Sequence, residues 1–281
     1  MARVAILLHS QRPAAVKAAG ELVEWLADRG HDSVLPTAGA DAVGLLDRAV
    51  DEDEIGPGCD LAVSLGGDGS ILRAVRLVAD HDVPVLGVNF GQLGYLTEVE
   101  PAEMFRSVER FFSGDHVVEE RMRLEVRVEG TDLVWRALNE VVVEKVGSGR
   151  TVRLSVDFND DFFTTYSTDG LIVATPTGST AYSLSARGPI VDPMHRALLL
   201  TPVAPHSLFD RSLVLSPDDA VRMTVLEDRD AFIALDGHIV DRLEVGRSVV
   251  CTAAAQPARL VSFGRKDFHR TLKSKFGLAD R

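Results

Sequence analysis

The sequence predicts a doubly wound α/β domain at the N-terminus, followed by a mostly antiparallel β domain. Up to residue 97, short apolar runs such as 61–65 and 83–89 alternate with segments of helical period, as buried parallel strands alternate with their covering helices. From residue 98, short runs rich in β-branched residues follow one another, separated by Gly or Asn-Asp turns. These patterns divide the chain into 1–97, 98–262 and a tail, 263–281.

Each element of the N-terminal part has a local signal. Apolar runs predict strands over 3–9, 33–35, 60–65 and 83–89. Apolar residues at helical spacing predict helices over 13–29, which Gly30 ends, and over 70–80. The acidic stretch 51–54 is interpreted as a solvated loop, and 101–112 as a helix that links the two domains.

The β-rich part and the tail are predicted in the same way. Strands are predicted over 119–128, 133–145, 151–158, 162–166, 171–175, 211–215, 220–226, 231–235, 238–245 and 248–251. In the tail, Phe268, Leu272 and Phe276 recur every four residues. This spacing predicts a helix whose apolar stripe packs back on the first domain.

Composition and charge exclude several classes of protein. The net charge of −12 over 281 residues argues against a nucleic-acid or anionic-membrane partner, because either requires a basic face. The two cysteines, Cys59 and Cys251, have neither metal-ligand nor disulfide spacing, which predicts a reducing, cytoplasmic location. The sequence shows no signal-peptide layout and no run approaching the ~20 apolar residues of a membrane span.

The most informative stretch joins a predicted strand to a predicted helix through Gly66-Gly67-Asp68-Gly69. Glycines let a phosphate approach the backbone, and the N–H groups at the start of a helix favour an anion. A carboxylate in such a loop repels phosphate unless it serves the chemistry, by taking a proton from an attacking hydroxyl or by holding Mg²⁺. The structural alternative is that Asp68 is the N-cap of the helix.

A second turn, rich in hydroxyl groups, follows the predicted strand 171–175. It reads Thr175-Pro176-Thr177-Gly178-Ser179-Thr180-Ala181-Tyr182, where a helix is predicted to start. Its hydroxyls can cap that helix or bind phosphate and ribose hydroxyls, and Tyr182 can stack on a base. Asn139-Glu140 can read ribose hydroxyls or lie on the surface. Two phosphate-type sites, one in each domain, predict an interdomain cleft for a ligand with several phosphates.

Together and in this order, these motifs resemble the NAD kinase family. The resemblance extends to Gly188-Pro189-Ile190 and Asp236-Gly237 and covers nearly the whole chain. Phosphofructokinases and lipid kinases carry loops similar to Gly-Gly-Asp-Gly, whereas the Thr-Pro-Thr-Gly-Ser-Thr-Ala-Tyr block is specific. The resemblance implies transfer of the γ-phosphoryl group of ATP to the adenosine ribose 2′-hydroxyl of NAD, which gives NADP. It also implies a divalent metal, a β-rich dinucleotide-binding domain, and a homodimer or homotetramer.

The resemblance further implies roles for single residues. Asp68 matches the general base on the 2′-hydroxyl, Arg73 and Arg150 match basic contacts, and Asp169 matches the acid beside the nicotinamide. The other matched positions approach the backbone, ribose or base of the dinucleotide, and they are Gly69, Asn139, Glu140, Thr180, Ala181, Tyr182, Ser183, Leu184, Ser185, Ala204 and His238.

Two positions depart from the family pattern. Arg187 stands before Gly188 where the family commonly has two glycines, and His238 stands where Gln or Asn is more usual. A permanently charged guanidinium is less favourable near the cationic ring of NAD⁺ than near the neutral ring of NADH. We therefore hypothesise that NADH is accepted as well as NAD⁺, unless Arg187 points to solvent. A histidine at position 238 would make the contact with the dinucleotide at this position sensitive to pH.

Three functions are open at this point. The leading hypothesis is an NAD kinase that uses ATP, or else inorganic polyphosphate, as the phosphoryl donor. A kinase of another hydroxyl substrate, a sugar phosphate or a lipid, would use the same loop, but Asn139-Glu140 argues against it. A non-catalytic NAD sensor would gain nothing from the Asp68 carboxylate. The eight histidines show no ligand spacing, so we assign no metal ligand and expect Mg²⁺ or Mn²⁺ to be held largely by the nucleotide.

Overall fold

The computed structural model describes residues 1–91, 94–147, 149–206, 209–226, 229–264 and 268–278. It divides into two compact units: unit 1 is Met1–Glu120 with Ala258–Arg281, and unit 2 is Arg121–Pro257. Within the described ranges, no helix has both the length and the apolar character needed to cross a membrane. The predicted fold class, an α/β domain and a mostly antiparallel β domain, is confirmed.

The elements are numbered along the chain. The strands are β1 (Arg3–Leu8), β2 (Asp32–Pro36), β3 (Ala49–Val50), β4 (Leu61–Gly66), β5 (Val85–Asn89), β6 (Val117–Arg121), β7 (Leu124–Val128), β8 (Val134–Ala137), β9 (Glu140–Lys145), β10 (Val152–Phe158), β11 (Asp161–Thr168), β12 (Gly170–Ala174), β13 (Leu198–Val203), β14 (Leu213–Leu215), β15 (Val221–Leu226), β16 (Ala231–Leu235), β17 (His238–Leu243), β18 (Ser248–Ala253) and β19 (Ala258–Ser262). The α-helices are α1 (Pro13–Ala27), α2 (Thr37–Val43), α3 (Asp68–Val78), α4 (Met104–Phe112), α5 (Tyr182–Ser185) and α6 (Phe268–Phe276).

Unit 1 is built on a sheet in the order β3-β2-β1-β4-β5-β19-β6. The pairs β1–β2, β1–β4, β4–β5 and β5–β19 are parallel. All six residues of β4 are buried, as expected for a central parallel strand covered on both faces. The strand order reverses direction between β1 and β4, which is where doubly wound sheets bind ligands at the carboxyl ends of their strands.

The helices of unit 1 set its limits along the chain. In α1, Pro13 occupies the first turn and Leu22 and Leu26 belong to the buried stripe. In α4, Met104 and Val108 join the core of unit 1, and β19 pairs with β5. The compact units therefore divide at 120/121 and 257/258, whereas the sequence predicts domain limits at 97/98 and 262/263.

Unit 2 contains two six-stranded sheets whose strand pairs are all antiparallel. Their orders are β11-β10-β15-β18-β7-β8 and β14-β13-β12-β9-β16-β17. A large apolar core contains inward-facing residues of both sheets, including Val143 and Val173 of one and Leu154 and Val249 of the other. The predicted Asn-Asp turn joins β10 to β11, and Asn159 and Asp160 both have positive φ, as a tight hairpin requires.

Several elements differ from the sequence prediction. The run 119–128 contains β6 and β7, because its two halves pair in different sheets, and 133–145 contains β8 and β9. The strands β13 and β19 and the helix α2 were not predicted, although β13 has the apolar signal of a buried strand. The helix predicted to start at Tyr182 is present as the four-residue helix α5, and a 3₁₀ turn precedes it.

Candidate functional site

The side chain of Asp68 is held by a distant turn rather than by its own helix. The N-cap of α3 is Gly67, and Asp68 is the first helical residue and makes no capping bond. Its carboxylate instead accepts hydrogen bonds from the backbone N–H groups of Tyr95 at 2.7 Å, Leu96 at 3.0 Å and Thr97 at 3.3 Å. The interpretation of Asp68 as an N-cap is therefore wrong.

This arrangement leaves Asp68 oriented and still able to accept a proton. A carboxylate offers about four acceptor positions, and the three N–H donors fill two on Oδ1 and one on Oδ2. Among the residues that the structure describes, no donor fills the second position on Oδ2, which can accept a bond from a substrate hydroxyl. The close packing requires glycine at position 94, because a Cβ there would overlap the Asp68 carboxylate.

Arg12 connects the same turn to the end of β1. Its guanidinium Nη1 donates to the carbonyl of Phe90 at 2.5 Å, and it lies where a Cβ of Gly91 would be. The N–H of Phe90 donates to the carbonyl of Gly66 at 2.8 Å. The segments that follow β1, β4 and β5 are thus tied into one assembly around Asp68.

The two other predicted site residues of unit 1 lie on α3. A Cβ at Gly69 would meet no atom within 4 Å, so the space beside this residue is open for a ligand. Arg73 donates to Glu52 at 2.7 Å, and Arg76 lies 3.6 Å from the same carboxylate. The acidic stretch 51–54 is therefore not simply a solvated loop, because Glu52 pairs with the cation expected to bind phosphate.

In unit 2, Asp236 organises the Asn139-Glu140 segment. Its carboxylate accepts the backbone N–H groups of Leu138 at 2.9 Å, Asn139 at 2.7 Å and Glu140 at 3.2 Å. Asp236 itself has a φ of 47°, in the tight turn that joins β16 to β17. His238 begins β17 directly after this turn and is exposed.

The hydroxyl-rich turn after β12 packs on the same segment. The N–H of Thr175 donates to the carbonyl of Asn139 at 2.8 Å, and its hydroxyl donates to the carbonyl of Leu138 at 2.6 Å. A Cβ at Gly178 would overlap the Asn139 carbonyl, so this contact requires glycine. Asn139-Glu140 and the hydroxyl-rich turn, which begins 36 residues later in the sequence, therefore form one structure at the same end of the paired strands β9 and β12.

Glu140 is a buried carboxyl group with a raised pKa. Only 4% of the residue is exposed. Burial is the largest cause of the raised pKa of Glu140, and the negative charge of Asp236 is the second. A hydrogen bond from the backbone N–H of Tyr182 lowers the pKa in part, and the resulting value is about 8. Burial also raises the pKa of Asp236, but the three backbone N–H groups that bind its carboxylate favour the ionised form, so the proton of this pair belongs on Glu140. Its Oε2 is buried and has no hydrogen-bond partner among the described residues.

The residues from Thr180 to Ser185 have unequal access to a ligand. Tyr182 is 40% exposed, which suits stacking on a base. Ser183 is buried, and its hydroxyl shares a hydrogen bond with Thr201 at 3.1 Å. The hydroxyl of Thr180 donates to the carbonyl of Thr177. Partly or fully accessible positions in the same segment are Ala181, Leu184 and Ser185.

Arg187 ends α5 in a left-handed conformation. Its φ is 67°, and its N–H donates to Leu184 while the N–H of Gly188 donates to Ser183, as in a Schellman cap. Glycine is the usual residue at this position because it lacks a Cβ. A Cβ at Gly188 would overlap the Ser183 hydroxyl. The Arg187 side chain is exposed.

The predicted residues Asp169 and Ala204 lie at the other end of β12 and β13 from the hydroxyl-rich turn, and Arg150 precedes β10 of the second sheet. Asp169 and Thr175 flank the five residues of β12, and their six positions of separation correspond to about 20 Å of extended chain. Asp169 forms an ion pair with Lys145 at 2.6 Å, and both line a cavity of about 530 Å³ with Arg150. Ala204 has a φ of 47°, a strained conformation for alanine.

Sequence reasoning gave no role to several residues that build these sites. Arg12 and Lys145 carry no local signal, because each acts through a contact with a residue far away in the sequence. Gly94 carries the signal of a glycine-rich turn after a predicted strand, but this signal does not indicate its contact with Asp68. Asp236 was noted only as part of a motif. Its position in an Asp-Gly turn between two apolar runs was the available signal.

Family models match both parts of the chain. One, described as the ATP-NAD kinase N-terminal domain, matches residues 4–116, and another, the ATP-NAD kinase C-terminal domain, matches residues 138–263. The NAD kinase of Heliobacterium modesticaldum is 42% identical over 285 residues, with 98% of each chain covered. The NAD kinase of Citrifermentans bemidjiense is 40% identical over 288 residues, with both chains covered in full.

Solved structures are similar over the whole chain as well. Yeast NADH kinase complexed with NADH superposes with a TM-score of 0.91 at 27% identity, covering 100% of this chain and 89% of that one. An NAD kinase from Archaeoglobus fulgidus in complex with ATP has a TM-score of 0.74 at 25% identity, covering 99% and 100%.

Proposed function

We propose roles for individual side chains in the phosphorylation of NAD, because this chain belongs to the NAD kinase family. Its activity is the transfer of a phosphoryl group from ATP to NAD. The relatives give no support to a sugar-phosphate kinase, a lipid kinase or a non-catalytic sensor.

Asp68 is the general base. The acceptor position left on Oδ2 receives the proton of the adenosine ribose 2′-hydroxyl as the oxygen attacks the γ-phosphorus of ATP. A bond forms between the 2′-oxygen and phosphorus, and the bond from phosphorus to the bridging oxygen breaks, which releases ADP. The single observation behind this role is the fixation of the carboxylate by three backbone N–H groups. A side chain needed only as a cap would not be held in this way.

The phosphates are bound by the loop at Gly69 and by Arg73. Gly69 leaves open space beside the start of α3, and Arg73 is a basic group one turn further on. A divalent cation, Mg²⁺ or Mn²⁺, would offset the negative charge of the transferring phosphoryl group. We expect the nucleotide to hold it, because Mg²⁺ is usually bound through substrate phosphates and only one or two protein carboxylates. Inorganic polyphosphate is the alternative donor.

The dinucleotide is bound by the assigned residues of unit 2. Asn139 and the protonated Glu140 present a carbonyl, an amide and a carboxyl group to ribose hydroxyls and base. Tyr182 stacks on a base. His238 begins β17, at the end of the sheet strands where Asn139 and Glu140 also lie.

NADH is accepted as well as NAD⁺. Lys145 neutralises Asp169, so this carboxylate does little to favour a cationic nicotinamide ring. Arg187 is exposed, and its permanent charge disfavours the cationic ring of NAD⁺ if the side chain reaches the dinucleotide rather than turning to solvent, which is the alternative that the test below decides. The test is Arg187→Ala, which removes the charge but keeps the Cβ. The ratio of kcat/KM for NAD⁺ to that for NADH should rise, and an unchanged ratio, or a parent that turns over NAD⁺ alone, would contradict the hypothesis.

The enzyme acts as a homo-oligomer in the cytoplasm. Glu140 lies at one end of the paired strands β9 and β12, and Asp169 lies at the other end. This separation supports a site in which Glu140 of one copy is combined with Asp169 of a second copy. Both cysteines are free, in keeping with a reducing compartment.

The direct test of the base is NADP formation from NAD⁺, ATP and Mg²⁺ by the parent and by Asp68→Asn. Asn keeps the size of the side chain but cannot take the proton, so kcat should fall by about a hundredfold or more. Asp80→Asn, which also changes one carboxyl group of unit 1, is the control and should retain activity. Equal kcat in the parent and Asp68→Asn would refute the assignment.

A further inference from the structure

The C-terminal segment that follows β19 contacts the turn that holds the proposed base. The backbone N–H of Phe263 donates to Glu98 Oε1 at 3.0 Å. Glu98 comes directly after residues 95–97, whose N–H groups bind the carboxylate of that base. Further along the segment, the Lys275 ammonium lies 4.5 Å from the centre of the Tyr95 ring. Two separate contacts of the C-terminal segment are therefore made with one short turn.

Lys275 lies on α6, which is a basic helix in an acidic chain. The nine residues of α6 include the cations Arg270, Lys273 and Lys275 and no carboxylate, whereas the whole chain has a net charge of −12. The helix belongs to the same compact unit as the turn, and Thr271 is its buried residue. No acidic side chain on α6 itself therefore competes for the Lys275 ammonium.

The contact between Lys275 and Tyr95 has the geometry of a cation–π interaction. The Nζ atom lies over the ring at a distance within the limit of about 6 Å for such contacts. Lys275 is exposed and Tyr95 is half-buried, so the ring is covered by the lysine on a side that water would otherwise reach. The ammonium therefore restrains the position of the aromatic side chain.

Tyr95 connects Lys275 to the proposed base. Its backbone N–H donates to Asp68 Oδ2 at 2.7 Å, the shortest of the three bonds to this carboxylate. Burial is the largest cause of the raised pKa of the Tyr95 phenol, and the charge of Asp68 is the second, so the side chain as well as the backbone lies near the carboxylate. Oδ2 is also the oxygen that receives the proton in the proposed reaction. The placement of Tyr95 therefore affects the orientation of the proton acceptor.

We propose that Lys275 is a positioning residue for the general base, because it holds the Tyr95 ring and with it the N–H group that orients Asp68 Oδ2. The inference rests on the proposed function, since this positioning affects turnover only if Asp68 takes the proton. It extends that function to α6, to which the sequence motifs assign no role.

Steady-state kinetics of Lys275→Gln with NAD⁺, ATP and Mg²⁺ test this role. The kcat should fall about two- to fivefold, as expected for the loss of an exposed cation–π contact, and the KM values for NAD⁺ and ATP should not change. Lys275→Arg should restore kcat, because a guanidinium also stacks on an aromatic face. The control is Lys17→Gln, which makes the same charge change on α1. Equal kcat in Lys275→Gln and Lys17→Gln, or a raised KM for ATP, would overturn the proposal.

Two variant backgrounds test whether Lys275 acts through the ring and the base. Tyr95→Leu removes the ring, and Asp68→Asn removes the proton acceptor. In either background, the further substitution Lys275→Gln should not lower kcat again, because the contact through which it acts is already lost. An undiminished further loss of kcat in either background would show that Lys275 acts elsewhere, which would overturn the proposal.

Amide hydrogen exchange separates this inference from the proposed function, because it requires no turnover. A peptide covering residues 94–99 should exchange faster in Lys275→Gln than in the parent or in Lys17→Gln. Unchanged exchange would overturn the positioning role even when Asp68→Asn is inactive. If Asp68→Asn keeps the parental kcat, the general base is refuted, and with it the effect of Lys275 on turnover, although faster exchange would still show that α6 holds the turn.

Discussion

Gly94 lies so close to Asp68 that a Cβ at position 94 would overlap the Asp68 carboxylate. The three N–H groups that bind this carboxylate follow Gly94 directly in the chain. Residues 94–97 therefore form a cradle for the proposed base, and Gly94 is required for space next to the carboxylate.

Gly94→Ala should reduce kcat by about a hundredfold, because a displacement of roughly 1 Å at a reacting group has that effect. The backbone of Gly94 has no positive φ, so the substitution introduces crowding rather than torsional strain. The control is Gly264→Ala, where a Cβ would meet nothing within 4 Å. Steady-state kinetics and thermal melting should show lost activity in Gly94→Ala alone; a fully active Gly94→Ala would mean that the cradle is not needed.

Glu52→Gln should lower the KM for ATP by about two- to fivefold, since an exposed ion pair contributes up to ~1 kcal/mol and its loss frees Arg73 for phosphate. Glu54→Gln makes the same charge change in the same turn. If the two variants shift the KM equally, the effect comes from the overall charge. Glu52 and phosphate would then not compete for Arg73.

Glu140 makes stability depend on pH in a defined direction. Its pKa is about 8 in the folded protein and 4.5 in the unfolded chain, so between these values the folded state keeps a proton that the unfolded state releases. The free energy of unfolding should therefore fall as the pH rises from 4.5 to 8. Glu140→Gln should remove this decline in urea titrations at pH 5, 7 and 8.5, whereas Glu144→Gln should leave it in place. A decline that persists in Glu140→Gln would assign it to another group.

Arg187→Gly should raise the free energy of unfolding by about 0.5–1 kcal/mol, because glycine adopts a φ of 67° without the Cβ penalty but has a more flexible unfolded chain. Arg187→Ala keeps the Cβ and should give no such gain. Urea denaturation of the two variants separates backbone strain from side-chain charge, and equal gains in both would show that strain at position 187 is not the cause.

Glu140→Gln and Asp169→Asn should complement each other if one site combines the two edges from different copies. Each variant alone should lose activity, because Glu140→Gln removes the hydroxyl donor of the protonated carboxyl group and Asp169→Asn removes the ion pair with Lys145. A mixture refolded together should regain about a quarter of the parental activity if the copies pair at random as dimers. No recovery in the mixture, with oligomers confirmed by light scattering, would place both residues in a site within one copy.

The fold class follows from patterns that the sequence carries locally. Fully apolar runs such as β4 identify buried parallel strands, and an Asn-Asp pair identifies the β10–β11 hairpin. The limits of a strand cannot be predicted from the sequence where they depend on which strands it pairs with. The run 119–128 appears continuous, yet it is divided because β6 and β7 belong to different sheets.

The sequence by itself determined which chemical groups are available, above all Asp68 between glycines and Asn139-Glu140 before an apolar strand. Only the tertiary structure decided what holds them. Asp68 is fixed by residues 95–97, Glu140 is kept protonated by burial beside Asp236, and Arg73 is paired with Glu52. These properties arise from contacts between residues distant in sequence, and no local pattern of residue types encodes such distances or the exclusion of water around a charge.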